Sequence, residues 1–154
     1  MAAPLRRLSC QTLGVMKSIG KLTLRDRVFE VKLAEVTRRR ENWCIEIETQ
    51  KEEFNDENWA PYLYHEGLRL PAQDALELQG QSTSWQTGAG PHPEKGTMYV
   101  FGHHDVRNCK VAFGSSDEGR IQLRWEGLCD VFWNEEFKDD VPFICECLAV
   151  AADV

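Results

Sequence analysis

Apolar and polar positions alternate with a period of two along much of the chain, the mark of strands with one buried face. Leu22 and Leu24 alternate with Lys21 and Thr23. Past the charged turn Arg25-Asp26-Arg27, Phe29, Val31 and Leu33 alternate with Glu30 and Lys32. Two such runs joined by a tight polar turn predict a hairpin. A third strand puts Trp43, Ile45 and Ile47 on one face and Cys44, Glu46 and Glu48 on the other.

Residues 51–62 break the pattern. They are polar and acidic, and allow a helical turn from Asn55 or Asp56 that Pro61 would limit. At 71–80 two readings compete: a short helix opened by Pro71 and ended by Gly80, or a strand from Leu76 and Leu78 towards Trp85. Residues 86–96 read as a Gly/Pro-rich surface loop.

The second half is more regular. Residues 97–101 and 106–113 read as strands flanking a polar hairpin tip, Gly102-His103-His104-Asp105. From Ile121 to Trp133 the odd positions are Ile, Leu, Trp, Gly, Cys, Val and Trp, with Gln122, Arg124, Glu126 and Asp130 between them. That run exceeds the usual strand length, and a glycine inside a strand commonly marks a bulge or bend, so a bend is expected at Gly127. Val141 to Val150 is apolar on both phases except at Glu146, which predicts a central strand with Pro142 near its start. The expected fold is mainly β: an antiparallel β-sandwich or partly open barrel of about eight strands with little helix. Residues 1–18 are expected to be a flexible tail, and 19–154 a single β-rich domain.

Charge sharpens this picture. The 154 residues carry a formal net charge of −7, unevenly distributed. Residues 1–40 hold ten basic and three acidic side chains. Residues 41–60 hold seven acids against Lys51, and residues 126–147 hold seven acids against Lys138. A net-acidic domain repels phosphate, so no nucleic-acid role is expected despite Arg38-Arg39-Arg40. No apolar run is long enough to span a bilayer as a helix, and no secretory signal is recognisable, so a cytoplasmic location with reduced cysteines is expected.

Candidate chemistry is sparse. His103, His104 and Asp105 are ligand types for zinc or iron, with His65-Glu66 elsewhere, but neighbouring residues of a strand point to opposite faces. Cys145 and Cys147 share one strand face and Cys129 lies on an apolar phase, which suits core thiols better than a zinc site. No nucleophile elbow, Walker motif or dinucleotide glycine motif is present, so neither catalysis nor a cofactor is expected.

The second acidic block remains. Glu126 and Asp130 lie on the polar phase of the long strand, and Glu135, Glu136, Asp139 and Asp140 follow beside Trp133 and Phe137. Carboxylates interleaved with aromatics suit a basic partner, charge steering the encounter and rings anchoring it. Glu126, Asp130, Glu135, Glu136, Phe137, Asp139 and Asp140 are therefore the expected partner-binding residues. In size, charge and the stretch Trp125-Glu126-Gly127…Asp130-Val131-Phe132-Trp133…Asp140-Val141-Pro142-Phe143, the chain resembles the immunity proteins of bacterial toxin systems. The resemblance implies a non-catalytic protein that neutralises a basic toxin. The competing classes are a metal-dependent or hydrolytic enzyme using His103, His104 and Asp105, and a structural domain without a specific site.

Overall fold

A computed structural model of the chain describes residues 19–86, 96–133 and 136–153. The expected N-terminal tail and most of the 86–96 loop lie outside them. The fold is mainly β, with one 3₁₀ turn, Leu76–Leu78, among the described residues.

The strands in chain order are β1 (Gly20–Leu24), β2 (Arg27–Arg39), β3 (Asn42–Thr49), β4 (Glu52–Phe54), β5 (Glu57–Trp59), β6 (Tyr62–Leu68), β7 (Ser82–Trp85), β8 (Thr97–Tyr99), β9 (His103–Asp105), β10 (Arg107–Asp117), β11 (Arg120–Trp133) and β12 (Glu136–Asp153). Ten of them form one sheet, ordered β7-β10-β11-β12-β1-β2-β3-β6-β8-β9, while β4 and β5 pair separately.

The first hairpin forms as its pattern predicts, with Leu24 opposite Arg27 across a two-residue turn. The polar break at 51–62 contains no helical turn. Asn55 and Asp56 both take positive φ (50° and 64°), the geometry of the tight turn whose twist suits a two-residue hairpin, and β4 and β5 flank it. Phe54 and Trp59 of that hairpin pack on Phe29, with the Arg27 guanidinium 4.4 and 4.6 Å from their ring centres. Neither reading of 71–80 holds as expected: Leu76 and Leu78 lie in a 3₁₀ turn rather than a strand, Pro71 does not open it, and the strand towards Trp85 begins only at Ser82. The 3₁₀ turn ends near Gly80, at φ 76°, and β7 then runs to Trp85.

Strand β12 is central: it pairs with β11 on one side and with β1 on the other. Beyond the short β1 its last residues, Val150–Asp153, pair in parallel with Glu35–Arg38 of β2. Pro142 lies inside β12 rather than near its start. Its carbonyl accepts from the Arg25 N–H, on the β1 side. The nitrogen of a strand residue points to the same side as its own carbonyl, so the missing N–H removes no bond to β11.

The sheet curls because its connections require it. β9 is one edge strand and β10 lies second from the other edge, yet Val106 alone separates Asp105 from Arg107. Consecutive Cα atoms are about 3.8 Å apart, so the two ends of the sheet must meet there. Val106 is buried and its N–H bonds the Gly96 carbonyl, beside the Trp125 ring. The result is a half-barrel, the barrel-like of the two expected forms, with its inner face filled by Trp43, Ile45, Ile47, Leu63, Trp125 and Phe143. There are twelve described strands rather than about eight: β6 follows directly on the polar break, and β4, β5 and β9 have only three residues each. Three residues carry too little alternation to register as a period.

Candidate partner-binding surface

The rim expected from residues 126–140 is built by two bulges that flank β11. On β10, Asn108 and Cys109 lie together opposite Gly127, with Asn108 at φ 50°. On β12, Asp139 and Asp140 lie together opposite Asp130, with Asp140 at φ 56°. An extra residue kinks its strand and re-aims side chains. The consequence is a salt-bridge knot. Arg107 grips Asp130 through two bonds, Nη1–Oδ2 at 3.1 Å and Nη2–Oδ1 at 2.7 Å, and also bonds the Asp140 carboxylate. The Asp140 N–H donates to Asp130 Oδ1 at 3.1 Å, closing the bulge. Hydrogen bonding to Arg107 holds the Asp130 carboxyl below its ordinary pKa, and the two aspartates raise that of Arg107 in return.

The other rim carboxylates are partnered too. Arg124 pairs with Glu126 at 3.0 Å and with Glu146 at 3.3 Å, and Lys138 pairs with Glu136 at 2.7 Å. Asp139 is exposed. Glu135 and the Phe137 side chain lie outside the described residues. Block counting missed this neutralisation because Arg107 and Arg124 precede the window 126–147 and reach it across the sheet.

The histidines do not converge. His103, His104 and Asp105 form edge strand β9 instead of a hairpin tip, the turn falling at 100–102. His103 lies 4.6 Å from the Tyr99 ring on the outer face. His104 takes the opposite phase, and its charge acts on Asp130. His65 is buried, its ring 5.2 Å from Trp85 and 6.1 Å from Trp125. No group of three His, Cys, Asp or Glu among the described residues has metal-binding geometry. The five described cysteines are free and buried, as expected of core thiols. Burial raises the Cys109 thiol to about 11 and the Cys129 thiol to about 12, far from a reactive thiolate.

A second acidic surface lies on the outer face of β3, β6, β8 and β9. Strand register sets Glu48, Tyr62, Tyr99 and His103 in one row across the four strands. Glu46, Tyr64, Thr97 and Asp105 form the next row. The Tyr62 and Tyr64 rings stack with centres 6.1 Å apart. The Tyr64 hydroxyl donates to Glu66 at 2.6 Å, which lifts its pKa to about 12. Burial and a hydrogen bond to Glu46 raise the Tyr62 phenol as well. Glu35 of β2 stands directly opposite Glu46. Among the described residues no ion pair joins Glu35, Glu46, Glu48, Glu66 or Asp105 to a cation; Arg39, at the end of β2, acts on Tyr64 only through its field. The sequence did hold a signal for this face. In Tyr62-Leu63-Tyr64-His65-Glu66 the aromatic-polar phase alternates with the buried one, but the preceding polar break obscures the strand.

What fold and surface define together is a mainly-β half-barrel with charge and aromatics on its convex side. No family model matches the chain, and no match was found among curated proteins or solved structures.

Proposed function

We propose that this is a non-catalytic binding protein that neutralises or regulates a basic protein partner, in the manner of an immunity protein acting on a cognate bacterial toxin. The carrying observation is the set of carboxylates on the outer face of β2, β3, β6 and β9 that no ion pair joins to a cation among the described residues, in a chain of net charge −7. Carboxylates paired within the protein project little field, whereas unpaired ones on one face steer a cationic partner and speed its association. By that criterion the steering surface lies on this face, and the rim at Glu126, Asp130, Glu136 and Asp140 is knitted mainly for structure, with Asp139 exposed beside it.

The test is co-expression with the product of the neighbouring reading frame. Growth arrest by that product alone, relieved by this chain and not by a Glu35→Lys, Glu46→Lys, Glu48→Lys variant of parental stability, is the expected result. Relief that survives these reversals moves the interface elsewhere. No relief by the parent chain overturns the reading.

A further inference from the structure

The tyrosine rows do more than decorate an acidic face, and their chemistry selects the kind of cation it takes. Four strands about 4.8 Å apart give each row a length of about 14 Å, too broad for one small ion and suited to several side chains of a protein. Three features converge. Tyr62, Tyr64 and Tyr99 place rings on the outer phase, with Tyr99 exposed and Tyr62 and Tyr64 half-buried. The Tyr64 hydroxyl is donated to Glu66, which pins that ring and enriches its face in electron density, and the Tyr62 ring stacks on it. Glu35 and Glu46 stand side by side on adjacent strands, and directly opposed like charges weaken a sheet. Folding gains nothing from that repulsion, whereas a cation bridging the two would relieve it.

Lysine and arginine would both answer the charge, but only arginine answers the rings. A guanidinium is planar, stacks on aromatic faces and presents a fork of N–H donors to carboxylates, while an ammonium is a strongly hydrated point charge. We propose that this face is an arginine-docking platform: guanidinium groups of the basic partner stack on Tyr62, Tyr64 and Tyr99 and donate to Glu46, Glu48 and Glu35. The proposal rests on the basic-partner reading above and specifies its chemistry.

Nona-arginine and nona-lysine peptides, titrated into the full chain at 0.15 M salt, separate the two levels. The arginine peptide binds about tenfold more tightly, the scale of one or two guanidinium–ring contacts. Tyr62→Leu and Tyr99→Leu abolish that preference and leave lysine-peptide affinity unchanged. Glu136→Gln with Asp139→Asn, on the rim, alters neither. Tyr99 lies on a short strand near the edge, so Tyr99→Leu remains informative if Tyr62→Leu lowers the melting temperature. Equal affinity for both peptides, indifferent to the tyrosines, overturns the arginine platform and leaves a basic-partner protein standing. A tyrosine-dependent dimer in the absence of peptide overturns it in favour of self-association through Arg38, Arg39 and Arg40. Co-expression rescue decides the broader reading independently.

Discussion

His65 is held neutral by its surroundings. Burial beside Trp85 and Trp125 lowers its pKa from the ordinary 6.5 to about 4, partly opposed by the charge of Glu66. Its Nδ1 accepts the Gly67 N–H at 3.1 Å, a bond that protonation at that nitrogen would destroy. Between pH 6.5 and 4 the unfolded chain binds a proton that the folded chain refuses. Stability is therefore whole above pH 6.5 and falls as the pH drops through that window. By pH 5 the loss from this residue amounts to about 2 kcal/mol. Urea denaturation at pH 7.5 and pH 5 measures it, and His65→Gln, which keeps an acceptor for Gly67, removes most of the difference. An identical pH dependence in the variant would place the acid sensitivity elsewhere. At this scale the sequence was readable for apolar residues: the inward phases at Leu22, Trp43, Ile45, Trp125 and Cys145 are buried as their alternation requires. His65 was less so: it shares the phase of Leu63, but a histidine carries no apolar signal and the polar break before β6 hides the strand that buries it.

Elements were located well and explained less well. The irregularity expected at Gly127 is there, but β11 runs unbroken past it and the extra residue belongs to β10, at Asn108–Cys109. Glycine is required because the bulge pushes its neighbour inward. A Cβ at Gly127 would lie 2.5 Å from Cys109 Sγ, 2.9 Å from the Arg107 carbonyl oxygen and 3.2 Å from the Phe143 ring. Gly127→Ala should accordingly cost about 1–3 kcal/mol, the range for overpacking a filled core. Adding Cys109→Ala removes the sulfur but not the carbonyl, so chemical denaturation should show partial recovery. Full recovery would mean that the backbone approach is immaterial. A bulge on a neighbouring strand leaves no periodic trace in the strand it presses on. The glycine was therefore visible and its cause was not. The same applies to the knot of Arg107, Asp130 and Asp140, whose members lie 23 and 33 positions apart and meet only because two bulges flank β11.

For the whole molecule, alternation and composition sufficed for a mainly-β fold with a central last strand, but not for one sheet whose ends meet. That closure depends on three-residue strands and on the single-residue link at Val106. The distribution of charge followed the same rule. Two acidic blocks look equivalent along the chain, yet Arg107 and Arg124 pair with four carboxylates of the second, while Glu46 and Glu48 of the first face outward beside the tyrosines. Closure also decides how firmly that face is held, since β9 has β8 as its partner in the sheet and β8 joins it to β6. If the link at Val106 ties this end of the sheet to β10, lengthening it should loosen that end alone. Two glycines inserted between Asp105 and Val106 are expected to speed amide hydrogen exchange in β8 and β9 by an order of magnitude or more, local opening being set by local contacts. Protection in β11 and β12, each paired on both sides, should stay near the parental level. Uniform loss of protection across the sheet would show instead that the half-barrel opens as one cooperative unit, and that the face carrying Tyr99 and His103 is as rigid as the centre.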